Sequence, residues 1–349
     1  MVMLGKPLFV VASILFASLF CSCGGEKYPE HEWEWGEENE AEKNPDIVKL
    51  GWTPVTDLGK LPDYLRVYKS PSQLEGVSAI AFIAVADMAA AQFNVLGDVA
   101  YSQEAGGYVG TALKTPSEFY ADSQCPVVIN AGLFYGAKKG SKTFYYSQNL
   151  VVREGKLLAP NQNYYSKDWV TLWYPTLGAF CLMKDGTYRT TWTYFTSDGK
   201  NYCYPAPAAN NINAAPLQVP SSTFPAGARE LDAVTGIGGV GVLLRDGQIK
   251  NTYVEEMLDV SAASNQPRTA IGITADKKMV LFVCEGRNKT AGVPGLSTAK
   301  VAAVLKSLGC VEALNLDGGG SSCMLVNGKE TIKGSDGKQR KVLTAVGLK

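Results

Sequence analysis

The sequence predicts an α/β mixed (α+β) domain: a mixed, largely antiparallel sheet with flanking helices, forming a single catalytic domain. Three observations predict it. Apolar runs of strand length recur from residue 46 onward, as in "VSAIAFIAVADM" and "CPVVINAG", each short enough for a buried strand. Turn pairs break such runs at Glu154-Gly155, Asp185-Gly186, Asp246-Gly247 and Asn327-Gly328, the residues a tight hairpin demands. Helical patterns are few, so most apolar surface must be buried sheet on sheet.

In chain order, residues 1–22 read as an export signal. Lys6 is the lone early charge, residues 7–20 are mostly apolar, and small residues and cysteine follow in "LFCSCGG". That stretch is short for a membrane span and has the layout of a signal peptide. Phe20-Cys21-Ser22 before Cys23 resembles a bacterial lipobox, with Phe20 where leucine is usual and Cys21 where alanine is usual. The expectation is lipidation at Cys23 and an exported bacterial lipoprotein, anchored in a membrane at the periplasmic face or the cell surface. The alternative is plain secretion. Residues 23–45 are expected to be an acidic disordered tether: residues 26–43 hold eight Glu and two Lys, too little apolar surface to order themselves. The domain then runs over residues 46–349.

Within it, Thr115-Pro116-Ser117-Glu118 starts a short helix with proline near its first turn. "STAKVAAVLKSLG", residues 297–309, predicts a second, with Val301, Val304 and Leu305 on one face. "VEALNLD" follows as a strand that carries Asp317 to a glycine loop, and "KVLTAVGL" closes the chain as a strand. Residues 205–225 lack periodicity and are rich in Pro, Ala, Asn and Ser; they predict a long surface loop at the rim of a site. Six cysteines remain after the signal, Cys125, Cys181, Cys203, Cys284, Cys310 and Cys323, none spaced as CxxC. Several lie in apolar strands, where a free buried thiol is the common state.

Composition narrows the chemistry. Lys+Arg and Asp+Glu balance at 33 each, and no basic stripe points to nucleic acid. The one histidine, His31, lies in the acidic segment. The domain therefore lacks a Ser-His-Asp or Cys-His site and a His-ligated metal. Acid–base work falls to Asp, Glu, Lys, Tyr or Cys, and a binding protein without chemistry fits equally well. "GIGGVG", residues 236–241, spells GxGxxG, but a hairpin rather than a helix follows, so a dinucleotide is not expected. No cofactor is required; acidic and carbonyl oxygens could hold calcium or magnesium, but no EF-hand spacing indicates a divalent cation.

"NLDGGGSSCMLVNGK" is the most unusual stretch. Bare amides can cradle an anion, and Ser321 and Ser322 add hydroxyls; Asp317 beside them suits a substrate with both a phosphate and a carbon centre to attack. A tight turn with a capping aspartate is the other reading. Three further strand ends carry polar groups: Asn130 and Gly132 in "INAGLFYG", Arg268 in "QPRTAIGIT", and Glu285 and Arg287 in "VLFVCEGRNKT".

Taken in order, "INAGLF", "RTAIGIT", "CEGR" and "ALNLDGGGSSCMLVNGK" resemble the phosphodiester glycosidase family, which includes the catalytic domain of the mannose 6-phosphate uncovering enzyme. The resemblance spans residues 77–349. It implies hydrolysis of the glycosidic bond of a sugar-1-phosphodiester on an extracytoplasmic glycan, releasing sugar and leaving a phosphomonoester. It places Asp317, Glu285 and Arg268 in catalytic positions. It places Asn130, Gly132, Arg287, Asn315, Gly318, Gly319, Ser321 and Ser322 in substrate-binding ones. Glu285 stands where aspartate is more usual and Val240 where proline is common. The physical reading agrees: a phosphate leaving group departs as a stable anion and needs little help from a general acid. The competing expectations are a non-catalytic glycan- or phosphate-binding surface lipoprotein, and a phosphodiesterase that splits the phosphorus–oxygen bond.

Overall fold

The computed structural model describes residues 45–258 and 260–349. The expected signal, Cys23 and nearly all of the expected tether lie outside the described residues.

The central sheet has eight strands. Four of them, Ala81–Asp87, Lys278–Cys284, Arg268–Thr274 and Cys310–Asn315, lie side by side in that order at its middle. Arg268–Thr274 and Lys278–Cys284 are buried along their whole length. Period-two alternation explains how both faces can be apolar. Ile271, Ile273, Leu281 and Val283 turn into one core cluster, shared with the other large sheets. Ala270, Val280, Phe282 and Cys284 turn into a second cluster, beneath helix Thr298–Ser307. Ser297 caps that helix by accepting from the Lys300 N–H, and Val301, Val304 and Leu305 form its buried face.

A seven-stranded sheet is centred on Ala233–Gly238, Leu177–Met183 and Tyr188–Phe195, and a five-stranded sheet contains Met324–Val326, Val127–Asn130 and Ala345–Leu348. A four-stranded sheet holds Phe134–Lys139 and Lys142–Ser147 with Gly107–Gly110 and Val99–Ser102. Helix Pro116–Ser123 carries a full capping box between Thr115 and Glu118. It packs near Val127–Asn130 through Phe119 and Val128.

The largely antiparallel sheet is present, but the expected mixed α+β balance is not. The strand pairs among the described residues are antiparallel, and only two described helices reach eight residues. The reason is local. Glu154-Gly155, Asp246-Gly247 and Asn327-Gly328 each have φ near +50° and +70° to +80°, the paired left-handed conformation of a two-residue hairpin. Such turns return the chain at once, whereas a parallel pair would require a long crossover. At Asp185-Gly186 only Gly186 is left-handed, and the loop is longer. Residues 205–225 are irregular, as expected. Their expected place at a site rim is not found: Val219 to Ser222 line a separate cavity with Tyr194 and Tyr202. All six cysteines are free thiols, and all but Cys203 are buried. Gly238 ends a strand and Val242–Arg245 follows as another, so the GxGxxG run opens no helix. Gly239 instead lies against the Asn315 carbonyl, where a side chain would collide.

Candidate active site

Strand Cys310–Asn315 delivers the glycine loop. As the chain leaves the sheet, the Leu316 N–H donates to the Thr269 carbonyl at 2.8 Å, and the Asp317 N–H donates to the Ala131 carbonyl at 2.8 Å. Asp317 is thus handed from the central sheet to the end of Val127–Asn130. Asn130 locks this junction. Its Nδ2 donates to the Asp317 carbonyl at 2.6 Å, and its Oδ1 accepts from Thr269 Oγ1 at 2.8 Å and from the Cys323 N–H at 3.1 Å. Fully buried, Asn130 ties three segments together; it positions the loop and offers no surface to a substrate.

The three glycines each meet a neighbour that a side chain would hit. A Cβ on Gly318 would lie 2.8 Å from the Pro267 carbonyl oxygen. Gly319 has φ +59° and its missing Cβ would lie 2.8 Å from Arg287 Nη2. A Cβ on Gly320 would overlap both Arg340 Nη2 and the Asp336 carboxylate. The bare backbone therefore lets two arginines close over the loop.

The cleft so formed has a volume of about 280 Å³. Asp317, Gly318, Gly319, Gly320, Asn315, Arg268, Arg287 and Arg340 line it, with Gln266, Leu133 and Val240 among the others. Asp317 is its one acidic lining residue among the described residues. Burial pushes the Asp317 carboxyl up to about 6; the Ser321 hydroxyl, the Arg340 charge and the Gly318 N–H pull the other way. Ser321 also accepts from Arg340 Nη1 at 3.4 Å. Arg340 is held by Asp336, at 2.9 Å to Nε and 2.6 Å to Nη2. Arg287 is exposed and donates from Nε to Gln266 Oε1 at 2.8 Å. Asn315 is buried: its Nδ2 donates to the Val240 carbonyl at 3.3 Å, while its Oδ1 has no partner.

The other expected residues stand differently. Arg268 lines the cleft, but Nε donates to the Leu296 carbonyl, Nη1 to Val260, and Nη2 to Ser261 and Ser264. Three of its five N–H groups thus fasten the loop around 260–264, a fourth is taken by Leu296, and one remains. Glu285 does not line the cleft. It is buried, with Oε1 accepting from the Lys333 N–H at 2.9 Å and Oε2 unpartnered. It anchors the turn that carries Asp336 and Arg340. Gly132 packs against Asn149 and donates to Thr344 Oγ1 at 3.1 Å, one residue before Leu133 enters the cleft wall. Ser322 is buried outside the lining, its hydroxyl unpartnered. Sequence reasoning missed Arg340, Asp336 and Gln266. "SDGKQRKV" reads as an ordinary surface turn, and its one signal is the i,i+4 spacing of Asp336 and Arg340.

The sequence profile of the family described as phosphodiester glycosidase matches residues 123–349, well over half of the chain. The chain belongs to that family. The matched range includes the glycine loop, Arg287, Arg340 and Asn130. The fold recurs in the catalytic domain of zebrafish N-acetylglucosamine-1-phosphodiester alpha-N-acetylglucosaminidase, auto-inhibited by its pro-peptide. That likeness has TM-score 0.52 and 20% identity, and covers 85% of this chain and 87% of that one. A hypothetical protein from Synechocystis shares it at TM-score 0.53 and 15% identity, over 85% of this chain and 63% of that one. The SPbeta prophage-derived uncharacterized protein YomE of Bacillus subtilis (strain 168) is 32% identical over 101 residues. That match spans 29% of this chain and only 15% of YomE.

Proposed function

We propose that the protein is a glycoside hydrolase acting on glycosyl phosphodiesters of an extracytoplasmic glycan, cleaving between the anomeric carbon and the bridging oxygen. The observation that carries this is a single partly desolvated carboxyl, Asp317, raised to about 6 in a cleft whose other charged lining residues are arginines. At neutral pH the carboxylate form predominates. It attacks the anomeric carbon or takes a proton from an attacking water, through an oxocarbenium-like transition state. The breaking bond leaves its electron pair on the phosphate oxygen. Arg287 and Arg340, with the remaining N–H of Arg268, face the growing phosphate charge. A phosphomonoester leaves as a stable anion, which suits a cleft without a histidine and with no second carboxylate among the described lining residues.

The zebrafish relative's name specifies N-acetylglucosamine, so N-acetylglucosamine-1-phosphodiesters head the substrates to test. The signal-like residues 1–22 and Cys23 support a lipid-anchored, extracytoplasmic enzyme, with residues 23–45 as the spacer.

The lone carboxylate also favours one rival, a binding protein that holds the same ligand without turnover. A screen of glycosyl phosphodiesters, measuring free sugar and phosphomonoester together, separates the two. Turnover is expected, and Asp317→Asn is expected to lower it by about 10³-fold or more with no fall in melting temperature at neutral pH. Saturable binding without product would establish the rival. In oxygen-18 water the label is expected in the sugar; label in the phosphate would instead mean phosphorus–oxygen cleavage.

A further inference from the structure

One wall of the cleft continues into an exposed aromatic surface. Leu133 lines the cleft, and its carbonyl accepts from the Gln148 N–H at 3.0 Å. That bond extends the ladder of the hairpin Phe134–Lys139 and Lys142–Ser147, in which Tyr135 lies directly opposite Tyr146. Alternation assigns the faces. Phe134 and Tyr145 pack onto the core, so Tyr135, Phe144 and Tyr146 turn outward. Tyr135 and Tyr146 stack with ring centroids 5.0 Å apart and planes 10° apart, and Phe144 lies 6.5 Å from Tyr146. Gly107 on the next strand admits the Tyr146 ring, which a Cβ there would approach to 3.1 Å. Tyr146 is fixed further by its hydroxyl, which donates to the Ala105 carbonyl at 3.0 Å. Tyr135 is left 48% exposed.

Tyr164 joins this surface from another segment. Gln162 binds Gln148 through its N–H at 2.8 Å and through its side chain at 2.9 Å, and its Nε2 donates to the Tyr164 carbonyl. Tyr164 is 43% exposed, and its phenol is close enough to that of Tyr135 to help raise the latter's pKa, after burial.

We propose that Tyr135, Tyr146 and Tyr164 form a platform that binds the carbohydrate chain extending from the substrate in the cleft. The proposal rests on the glycosidase reading above. Tyr135 is two strand residues from Leu133, about 7 Å, so a chain leaving the cleft meets the platform within a few sugar rings. An aromatic face carries partial negative charge and attracts the C–H face of a pyranose, while phenol hydroxyls meet its rim hydroxyls. The lysines of this hairpin sit at its far tip, beyond the tyrosines: Lys139 lies opposite Lys142, Lys142 pairs with Glu104 at 2.7 Å, and Lys139 donates to the Glu104 carbonyl; continuity with the cleft through Leu133 therefore favours a glycan as the occupant of the tyrosine end.

The test is titration of the intact protein with linear tetrasaccharides of β-1,4-glucose, β-1,4-N-acetylglucosamine and α-1,6-mannose. Wild type is expected to bind at least one. Tyr135→Ala and Tyr164→Ala should each weaken binding about tenfold, and Tyr135→Phe much less. Tyr101→Ala should change nothing: Tyr101 is 61% exposed but sits on the far edge strand, paired with Tyr108. Hydrolysis of a methyl glycosyl phosphodiester, which cannot reach the platform, should be unchanged in Tyr135→Ala. Failure of every tetrasaccharide to bind wild type, equal loss in Tyr101→Ala, or a patch that binds phosphatidylglycerol vesicles instead would overturn the proposal. Tetrasaccharide binding without phosphodiester hydrolysis would overturn the activity and leave the platform standing; hydrolysis without binding would do the reverse.

Discussion

The pH dependence of turnover gives the sharpest test of Asp317. Its carboxyl sits near 6 because burial disfavours the charge more than Ser321, Arg340 and Gly318 favour it. A group titrating there is about nine-tenths ionised at pH 7 and about one-tenth ionised at pH 5. If the carboxylate attacks or acts as base, kcat/KM must rise about tenfold between those values, with its midpoint near 6 in the free enzyme. Ser321→Ala then makes the claim specific. The lost hydroxyl stabilised only the ionised form, and hydrogen bonds to charged groups contribute about 1.5–3 kcal/mol. The midpoint should therefore move up by about one pH unit or more, and Arg340→Met should move it the same way through the lost charge. Initial rates of sugar release at constant ionic strength supply the measurement, with circular dichroism at each pH to show that the fold persists. A midpoint near an ordinary carboxylate value, a limb that descends through 6, or a midpoint unmoved by Ser321→Ala would refute the role.

The remaining expectations concern the frame around that carboxylate. Asn130→Ala should cost about 2 kcal/mol or more in urea unfolding, because the Asp317 carbonyl and the Cys323 N–H would lose their buried partner; Asp317→Asn should not. Gly320→Ala drives a methyl into the Arg340–Asp336 pair and should cost about 1–3 kcal/mol while lowering kcat/KM for the diester. Glu256 is fully buried and accepts from Trp192 Nε1, Thr252 Oγ1 and the N–H groups of Gly178 and Val242, yet burial raises its pKa to about 7. The native state thus takes up this proton more readily than the unfolded chain. The stability linked to Glu256 is present below about 4.5 and is lost as pH rises through about 7, by about 3 kcal/mol. Glu256→Gln removes that dependence, so the difference in unfolding free energy between wild type and variant should shrink from pH 5 to pH 8; a constant difference would show that Glu256 does not titrate there.

Legibility in the sequence followed the range of the interaction. Hairpins at Glu154-Gly155, Asp246-Gly247 and Asn327-Gly328 could be read because φ > 0 at two adjacent positions is a local demand that few residues meet. The helix at Thr298–Ser307 could be read for the same kind of reason, a cap and a stripe within a dozen residues. Asp317 stood out because glycines crowd beside it, and the neighbours they admit are Pro267, Arg287 and Arg340. The identity of those neighbours was not local. Arg340 lies 19 residues from the Ser321 hydroxyl it meets, in a turn whose composition marks only a surface. Arg268 and Arg340 both line the cleft, and their type alone gives no way to tell how many N–H groups each keeps for a ligand. What separates them is where the carbonyls lie. Four N–H groups of Arg268 are taken by Leu296, Val260, Ser261 and Ser264, whereas Arg340 has one carboxylate partner, Asp336, and the Ser321 hydroxyl.

The same contrast orders three of the acidic groups whose carboxyls are largely desolvated; a fourth, Glu312, accepts from Thr190 and Asp246 within the sheets. Glu256 meets four donors deep in the sheets and holds the fold together. Glu285 meets one backbone N–H and holds the turn of Arg340 in place. Asp317 alone of the three opens onto a cleft. Burial raises the pKa of both Glu256 and Asp317, so a raised pKa by itself does not mark the catalytic group. The mark is a raised carboxyl with an open path to a ligand and with arginines lining that path. On the proposed reading the arginines, more than the acid, would select the substrate: a neutral glycoside would leave Arg287, held only by the neutral Gln266 side chain, without an anion, and a phosphodiester would supply one.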